Sequence, residues 1–196
     1  MIDMVFDLDG GTLPANYPFA LWAALVRHIP ELMAEKFAGV LPLRGSGNNE
    51  NILLPKRAKL TIRLPTLLAE HFAARLTGYQ FDITGSPLHL GAAKARPIHP
   101  SPTIHAQLVT GTSDEVLFME HINTQLEKMK IKGKLICGKQ HIVRSDMQSI
   151  QGYSLVIHDL TPGASLQLQF MGLGEGRQFG CGIFVPYKVI SGLSEG

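Results

Sequence analysis

Hydrophobic and polar positions at the start of the chain predict a strand and then an interrupted helix. Residues 3–9 are mostly apolar and lead into Gly10 and Gly11, a pattern typical of a strand that ends in a turn. From residue 18 to residue 37, apolar side chains recur three and four positions apart, which predicts a helix. Pro30 lies inside this segment, and because proline cannot continue a helix we expect a bend or a break there.

The rest of the first half combines a loop, a strand with two different faces and a further helix. Glycine and asparagine residues between positions 45 and 51 predict the loop. Residues 59–64 (KLTIRL) alternate polar and apolar, which predicts a half-buried strand that carries Lys59, Thr61 and Arg63 on one face. A helix over residues 65–76 and a pair of strands over residues 79–90 follow.

After a proline-rich stretch at residues 95–105, the order of elements in the second half resembles that in the first. Each half is predicted to contain a strand, a helix, two strands, a helix and a strand, the split βαβ order of a ferredoxin-like or RNA-recognition-motif domain. We therefore predict an α+β protein with two tandem ferredoxin-like domains, at residues 1–98 and 99–196, the second carrying a glycine-rich loop. The predicted strands of the second half span residues 104–109, 131–142, 150–157 and 179–187, and its helices span residues 113–129 and 162–170.

The composition is that of a globular protein with a substantial core. Of the 196 residues, 45% are hydrophobic and 17% are charged, which excludes disorder of the chain as a whole. The two cysteines, Cys137 and Cys181, are too few for a disulfide framework or a cysteine-rich zinc site. Apolar runs fall short of the roughly 18 residues of a membrane span, and the first residues carry acids where a signal peptide carries basic residues. We therefore expect a cytoplasmic protein with no membrane partner.

The formal net charge of +2 conceals an uneven distribution along the chain. Residues 1–35 contain five acids against Arg27 alone, whereas residues 36–63 contain six Lys and Arg against Glu50. Residues 128–144 contain six Lys and Arg and no acid. Two basic blocks suit a phosphate backbone, although such runs are also typical of a solvated surface. The candidate RNA-binding side chains in these blocks are Arg44, Lys56, Arg57, Lys59, Lys134, Lys139 and Arg144.

One acidic motif resembles a phosphatase signature but lacks the rest of such a site. The sequence VFDLDGGTL at residues 5–13 is similar to the haloacid dehalogenase motif, in which a first Asp attacks phosphorus and a second moves a proton, the places of Asp7 and Asp9. It departs from that motif by an inserted glycine, and the chemistry needs further carboxylates to hold Mg²⁺. The remaining aspartates form no acidic pair at a strand end, so we interpret the segment as a strand and a glycine turn with solvated acids.

A glycine-rich segment, GLGEGRQFGCGIFVP at residues 172–186, follows a predicted helix and precedes a predicted strand. Glycine permits a positive φ and a close approach of the backbone, so this segment is able to present N–H groups to phosphates. It is not a dinucleotide fingerprint, because that motif places its glycines between a strand and a helix. A strained loop that leads into a strand is the alternative interpretation.

The spacing of these glycines resembles the closing signature of the CRISPR-associated endoribonucleases that process repeat RNA, within the RAMP superfamily of tandem ferredoxin-like proteins. A second segment, TLPANYPFALWAAL at residues 12–25 followed by VLPLRG, is similar to the small variant of this family found in one type I subtype. The residues that match the closing signature are Gly172, Gly174, Gly176, Gly180, Gly182 and Pro186.

The resemblance implies a metal-independent nuclease without a cofactor that binds CRISPR repeat hairpins. In this family a 2′-hydroxyl attacks the adjacent phosphate and leaves a 2′,3′-cyclic phosphate and a 5′-hydroxyl, which needs a general acid/base and a cation near the phosphate. RNA contacts from Gly174, Gly176 and Arg177 and membership of a CRISPR effector complex are implied as well. An RNA-binding scaffold subunit of the same fold that does not cleave is the alternative.

The resemblance also implies the catalytic residues. Family members usually carry the general acid/base as a His in or just after the first helix, which is the place of His28, although a histidine on the helix surface is the alternative. Tyr17 is a candidate to orient the scissile phosphate or donate to it, with a packed ring at the helix start as the alternative. Some relatives place a His in the segment that matches residues 40–42, where this chain has Leu41. No His pair has metal-ligand spacing with a carboxylate partner, so no metal is predicted. The further histidine candidates are His99, His105 and His141.

Overall fold

The computed structural model describes residues 1–48, 50–145 and 147–187, and within them strands and helices alternate along both halves. None of the described helices is long and apolar enough to cross a membrane. The strands are β1 (Ile2–Gly10), β2 (Thr12–Pro14), β3 (Gly39–Val40), β4 (Ser46–Gly47), β5 (Asn51–Leu53), β6 (Lys59–Leu64), β7 (Gln80–Ile83), β8 (Ser86–Pro97), β9 (Ile104–Thr110), β10 (Lys134–Arg144), β11 (Ser149–His158) and β12 (Val185–Pro186). The helices are α1 (Tyr17–His28), α2 (Thr66–Leu76), α3 (Glu115–Lys128) and α4 (Pro162–Met171).

The first half forms an antiparallel sheet with the strand order β3-β6-β1-β8-β7. Side chains alternate along a strand, so Met4, Phe6 and Leu8 of β1 all point to one face. They enter a core shared with Leu25 of α1 and Phe72 of α2, which places both helices on that face of the sheet. Strands β3, β6, β1 and β8 have the order of a ferredoxin-like domain, and β7 extends the sheet at one edge.

The second half forms a separate antiparallel sheet with the strand order β10-β11-β9-β12. This is the ferredoxin-like order again, with α3 following β9 and α4 following β11. Its core joins Phe118 and Ile122 of α3, Leu168 of α4 and Leu155 of β11. The predicted class, an α+β protein of two tandem ferredoxin-like units, is therefore confirmed, while the boundary after residue 98 stays a prediction.

Three local expectations meet different outcomes. The break at Pro30 is confirmed, because α1 ends at His28 and a 3-10 helix occupies Pro30–Ala34. The segment predicted as a loop contains β4 and the start of β5, and β5 pairs with both β2 and β4 in a small third sheet. The last strand is shorter than predicted, because a 3-10 helix at Arg177–Phe179 and a turn occupy the segment before β12.

The strand β6 is buried on both faces, so the expectation of a half-buried strand is wrong. Thr61 is 8% exposed and Arg63 is 1% exposed, although they share a face with the exposed Lys59. The reason lies in the second half of the chain, which covers that face. Arg63 donates from Nη1 to the backbone carbonyl oxygens of Gln169 and Phe184, both at 2.8 Å.

A second arginine makes the reverse contact between the halves. Arg177 of the second half is 8% exposed and donates from Nη2 to the carbonyl oxygen of Phe37 at 3.2 Å. Beside it, a Cβ added to Gly39 would lie 2.6 Å from the side chain of Ile183. Each half therefore binds the other through an arginine and through close backbone packing.

Acids of β1 lie beside the cations of its neighbouring strands. Asp3 accepts hydrogen bonds from Arg63 at 2.7 Å and from Arg96 at 3.2 Å. Asp7 pairs with Lys59 on β6, and this contact holds the pKa of the Asp7 carboxyl below its ordinary value. The acidic start of the chain and part of its first basic block thus neutralise each other across the sheet.

Candidate active site

A cavity of about 1140 Å³ lies between the two halves, at the start of α1. The first half lines it with residues 14–18, Pro42 and Leu43. The second half lines it with residues 141–144 at the end of β10 and with residues 179–181 of the glycine-rich segment. Ligand pockets in proteins usually measure roughly 300–1,000 Å³, so the space is ample for a nucleotide and its neighbours.

Tyr17 holds its hydroxyl group in the wall of this cavity. It is the first residue of α1, and Pro18 behind it has a φ that favours a helix start. The side chain is 7% exposed, and its oxygen accepts a hydrogen bond from the backbone N–H of Leu43 at 2.8 Å. Burial raises the pKa of Tyr17 to about 12. The phenol therefore stays protonated near neutral pH, which suits donation to a phosphate oxygen rather than removal of a proton.

The glycine-rich segment closes the cavity by packing directly on the first half. Gly180 has a φ of +89°, and a Cβ there would lie 2.9 Å from Cγ of Pro42. Gly174 and Gly176 also have positive φ, but they lie against Thr110 of β9 and do not line the cavity. The predicted contacts of Gly174 and Gly176 with RNA stay predictions.

His28 lies at the opposite end of α1 from Tyr17. With a rise of about 1.5 Å per residue, the ends of this helix are roughly 16 Å apart. Nε2 of His28 lies 2.9 Å from the carbonyl oxygen of Arg75, and its ring stacks on Tyr79 with a centroid distance of 3.7 Å. The structure thus brings Tyr17 to the cavity and leaves His28 among residues of α2 and β7. Its role as general acid/base stays a prediction.

Of the further histidine candidates, His141 lines the cavity. Burial, with a smaller contribution from the Lys139 charge, lowers the pKa of His141. His105 on β9 makes an edge contact with Tyr187 at a centroid distance of 5.3 Å, and burial lowers its pKa as well. His99 is exposed, and only its backbone carbonyl makes a hydrogen bond, which it accepts from a buried glutamine side chain.

The predicted RNA-binding cations divide into a group near the cavity and a group away from it. Arg144 lines the cavity, and Arg44 follows the lining residue Leu43 and acts electrostatically on His105. Lys139 acts in the same way on His141. One of these cations therefore lines the cavity, and two more, from different sequence blocks, lie within two residues of lining residues.

The second group lies elsewhere on the surface or is engaged in ion pairs. Lys56, Arg57 and Lys59 border a depression of about 430 Å³ at the ends of β1, β6 and β8, together with acids of β1. Lys134 pairs with Asp159 at 2.9 Å. Arg177, also predicted to contact RNA, is 8% exposed and buried between the halves, so its contact with RNA stays a prediction.

Cys181 is the one cysteine that lines the cavity, and it is 2% exposed. Burial raises the pKa of its thiol to about 12, so the thiol stays protonated and is a poor nucleophile near neutral pH. Among the described residues, no group of three or more His, Cys, Asp or Glu is placed to hold a metal ion.

Comparison with known proteins adds the family to this geometry. The family model described as "Cas6 Crispr" matches residues 2–189. The CRISPR-associated endonuclease Cas6 of Myxococcus xanthus (strain DK1622) is 33% identical over 187 residues, which cover 94% of this chain and 81% of that protein. The chain belongs to the Cas6 family. The resemblance seen in the two sequence segments is thereby confirmed.

Solved structures share the architecture of this Cas6 chain at low sequence identity. A structure described as "An RAMP protein binding different RNA substrates" has a TM-score of 0.74 at 12% identity and covers 96% of this chain and 100% of its own. One described as "CRISPR associated protein Cas6" has a TM-score of 0.68 at 14% identity, with coverages of 95% and 99%. Identities this low establish a common fold only, and that fold agrees with the tandem ferredoxin-like prediction.

Sequence reasoning missed several cavity residues of the Cas6 chain. Asn16, Gln107 and Cys181 line the cavity from α1, β9 and the glycine-rich segment. Asn16 and Cys181 lie inside the two segments that resemble the family but were not named as candidates, and Gln107 lies in neither segment. Their proximity depends on how the two sheets pack. Only the boundary of the predicted first helix pointed toward Asn16, because a helix start exposes backbone N–H groups.

Proposed function

We propose that this Cas6 chain is a metal-independent endoribonuclease that binds CRISPR repeat hairpins and cleaves precursor transcripts into guide RNAs. The observation that carries the proposal is the cavity between the halves, lined by Tyr17 and Arg144 and closed by the glycine-rich segment. Its relative from M. xanthus is named an endonuclease, and a protein with the same fold is described as binding RNA substrates. These names support RNA as the substrate and cleavage of a phosphodiester as the reaction.

The chemistry fits the groups around the cavity. The 2′-hydroxyl of the RNA is the nucleophile, so the protein has to hold it in line with the phosphate and balance the charge that develops there. Arg144 and Arg44 supply positive charge at the opening, and the neutral Tyr17 phenol donates to a phosphate oxygen. The products are a 2′,3′-cyclic phosphate and a 5′-hydroxyl.

The hairpin extends beyond the cavity, and we assign the remaining basic residues to it. Lys56 and Arg57 at the end of the first sheet are suited to phosphates of the stem, because duplex RNA is recognised mainly by its shape and backbone. Lys134 at the start of β10 is suited to them once it leaves Asp159, and Lys139 lies between the stem and the cavity. Tight binding of the product hairpin accounts for retention of the protein in a cytoplasmic CRISPR effector complex. Single-turnover cleavage followed by slow product release, measured with labelled RNA, tests this part of the proposal.

The decisive experiment uses repeat-hairpin RNA in EDTA and a series of the same RNA, each member with one 2′-deoxy nucleotide. We expect chelator-resistant cleavage to a cyclic phosphate, lost in the single member whose nucleophile is missing. Tyr17→Phe is expected to slow cleavage with little change in binding, and His28→Ala tests the role predicted for that histidine. Cleavage that requires added Mg²⁺, or that leaves a 5′-phosphate, would contradict the proposal.

A non-cleaving scaffold subunit is the second candidate, and Leu41 favours it. Its backbone N–H donates to the carbonyl oxygen of Thr61 at 2.9 Å, directly before Pro42 in the cavity wall. A histidine at this position, which the resemblance implies for some members of the family, would therefore lie beside the cavity. Tight hairpin binding without cleavage by the native protein, together with cleavage gained by Leu41→His, would establish the scaffold function.

A further inference from the structure

His141 occupies an open position in the cavity wall. It lies on β10 directly after an irregularity between Cys137 and Gln140, which shifts the pairing with β11. Its partner across the strands is Gly152, which has no side chain to cover the imidazole. The lining residues Ile142, Val143 and Arg144 follow it along the same strand end. The ring is therefore carried by a strand and lies half-buried in the wall of the cavity.

The other histidines of the described chain are engaged or lie elsewhere. His28 contacts the Arg75 carbonyl and stacks on Tyr79, and His158 lies 3.1 Å from a carboxylate oxygen of Asp159. His89 borders the separate depression at the end of the first sheet. His141 is the histidine among the residues that line the large cavity.

The cavity also contains the groups that a proton-accepting histidine needs nearby. Tyr17 lines the opposite half with a protonated hydroxyl, and Arg144 supplies a guanidinium three residues after His141. Burial keeps the imidazole neutral near pH 7 by lowering its pKa, so its free ring nitrogen accepts a proton. A neutral base, a hydroxyl donor and a cation are the components of phosphodiester transfer without a metal.

We propose that His141 is the general base of the cleavage reaction, an inference that rests on the proposed function. Its imidazole takes the proton of the 2′-hydroxyl while the bond from O2′ to phosphorus forms and the bond from phosphorus to O5′ breaks. The 5′-oxygen takes a proton from solvent, and the imidazolium returns its proton to solvent. Tyr17 and Arg144 stabilise the charge on the non-bridging oxygens during the step.

The test measures single-turnover cleavage of the repeat hairpin by the full chain and its variants in EDTA. General acid–base catalysis contributes about 10²–10⁴-fold to a rate, so His141→Ala is expected to lose at least about 100-fold. Its affinity for an uncleavable 2′-deoxy hairpin should stay within a few-fold of the native protein. Imidazole added to the buffer should restore part of the rate to His141→Ala. His121→Ala, an exposed histidine on α3, is the matched control and should cleave at the native rate.

The outcomes separate this inference from the function on which it rests. Failure of the native protein to cleave any repeat hairpin would overturn the proposed nuclease and the inference together. Native cleavage that persists in His141→Ala would overturn the inference alone. A loss that occurs only in His28→Ala would do the same and would return the role to the first helix. His141→Ala would overturn the inference as well if it cleaved slowly, bound RNA poorly and were not rescued by imidazole. Those results together would show that His141 has a structural role.

Discussion

Replacing Arg63 with Met is expected to destabilise the contact between the two halves. The arginine is 1% exposed, and its removal leaves Asp3, with a side chain 5% exposed, short of its nearest cation. The carbonyl oxygens of Gln169 and Phe184 lose their donor at the same time. Removing one partner of a buried ion pair lowers the free energy of unfolding by about 3–5 kcal/mol. Arg96 still pairs with Asp3 at 3.2 Å in the variant, so we expect a loss of about 4 kcal/mol rather than the upper value.

This free energy is measurable by thermal and urea unfolding. For a chain of this length, 1 kcal/mol corresponds to about 2–4 °C in Tm, so Arg63→Met should melt roughly 8–16 °C below the native protein. Lys59→Met is the matched control, because Lys59 also pairs with an acid of β1 but is half exposed. The double variant Arg63→Met with Asp3→Leu should recover part of the stability, since the buried Asp3 carboxylate is then no longer left without its nearest cation. Equal effects of Arg63→Met and Lys59→Met would refute the reasoning.

Three further predictions follow from single positions. Gly180→Ala should lower the free energy of unfolding by roughly 1–2 kcal/mol, because the φ of Gly180 is +89°, and it should also slow cleavage. Gly163→Ala is the control and should change neither, because a Cβ at Gly163 meets nothing within 4 Å. Burial raises the pKa of Cys181 from 9.0 to about 12; the unfolded thiol ionises first, so this group's contribution to stability should be complete below pH 9 and fall as the pH rises toward 12. The difference in urea midpoint between the native protein and Cys181→Ala should therefore shrink as the pH rises from 9 toward 12. A difference that stays constant over this pH range would contradict the burial argument. In filter-binding assays, Arg144→Gln should weaken hairpin binding more than Lys59→Gln, because Lys59 is already paired, and the opposite order would contradict this.

The order of strands and helices was predictable because hydrophobic spacing reports local structure. The pattern around Pro30 correctly predicted both a helix and its break, and the alternation in residues 59–64 correctly put Lys59, Thr61 and Arg63 on one face. What that face contacts depends on residues more than 100 positions away, such as Gln169 and Phe184. The pattern of a single strand carries no information about such a distant partner.

The candidate site was predictable only in part, for the same reason. The start of α1 and the glycine-rich segment carry distinctive residues, and both meet at the cavity through Tyr17 and Gly180. The family resemblance that pointed to His28 gives its position on α1 but not which end of that helix faces the second half. His141 lies on an ordinary amphipathic strand, and only the packing of the two sheets brings it to the cavity.

The acids of β1 change how the affinity for RNA should respond to salt. A protein releases one counterion from RNA for about each phosphate that a free cation neutralises, so the slope of log K against log salt counts those cations. Lys59 and Lys134 already have carboxylate partners in Asp7 and Asp159, and Arg63 is buried beside Asp3. The slope measured in a salt titration of hairpin binding should therefore be smaller than the number of basic residues in the two blocks suggests. The acids of strand β1 compete with RNA phosphates for the cations of the first block.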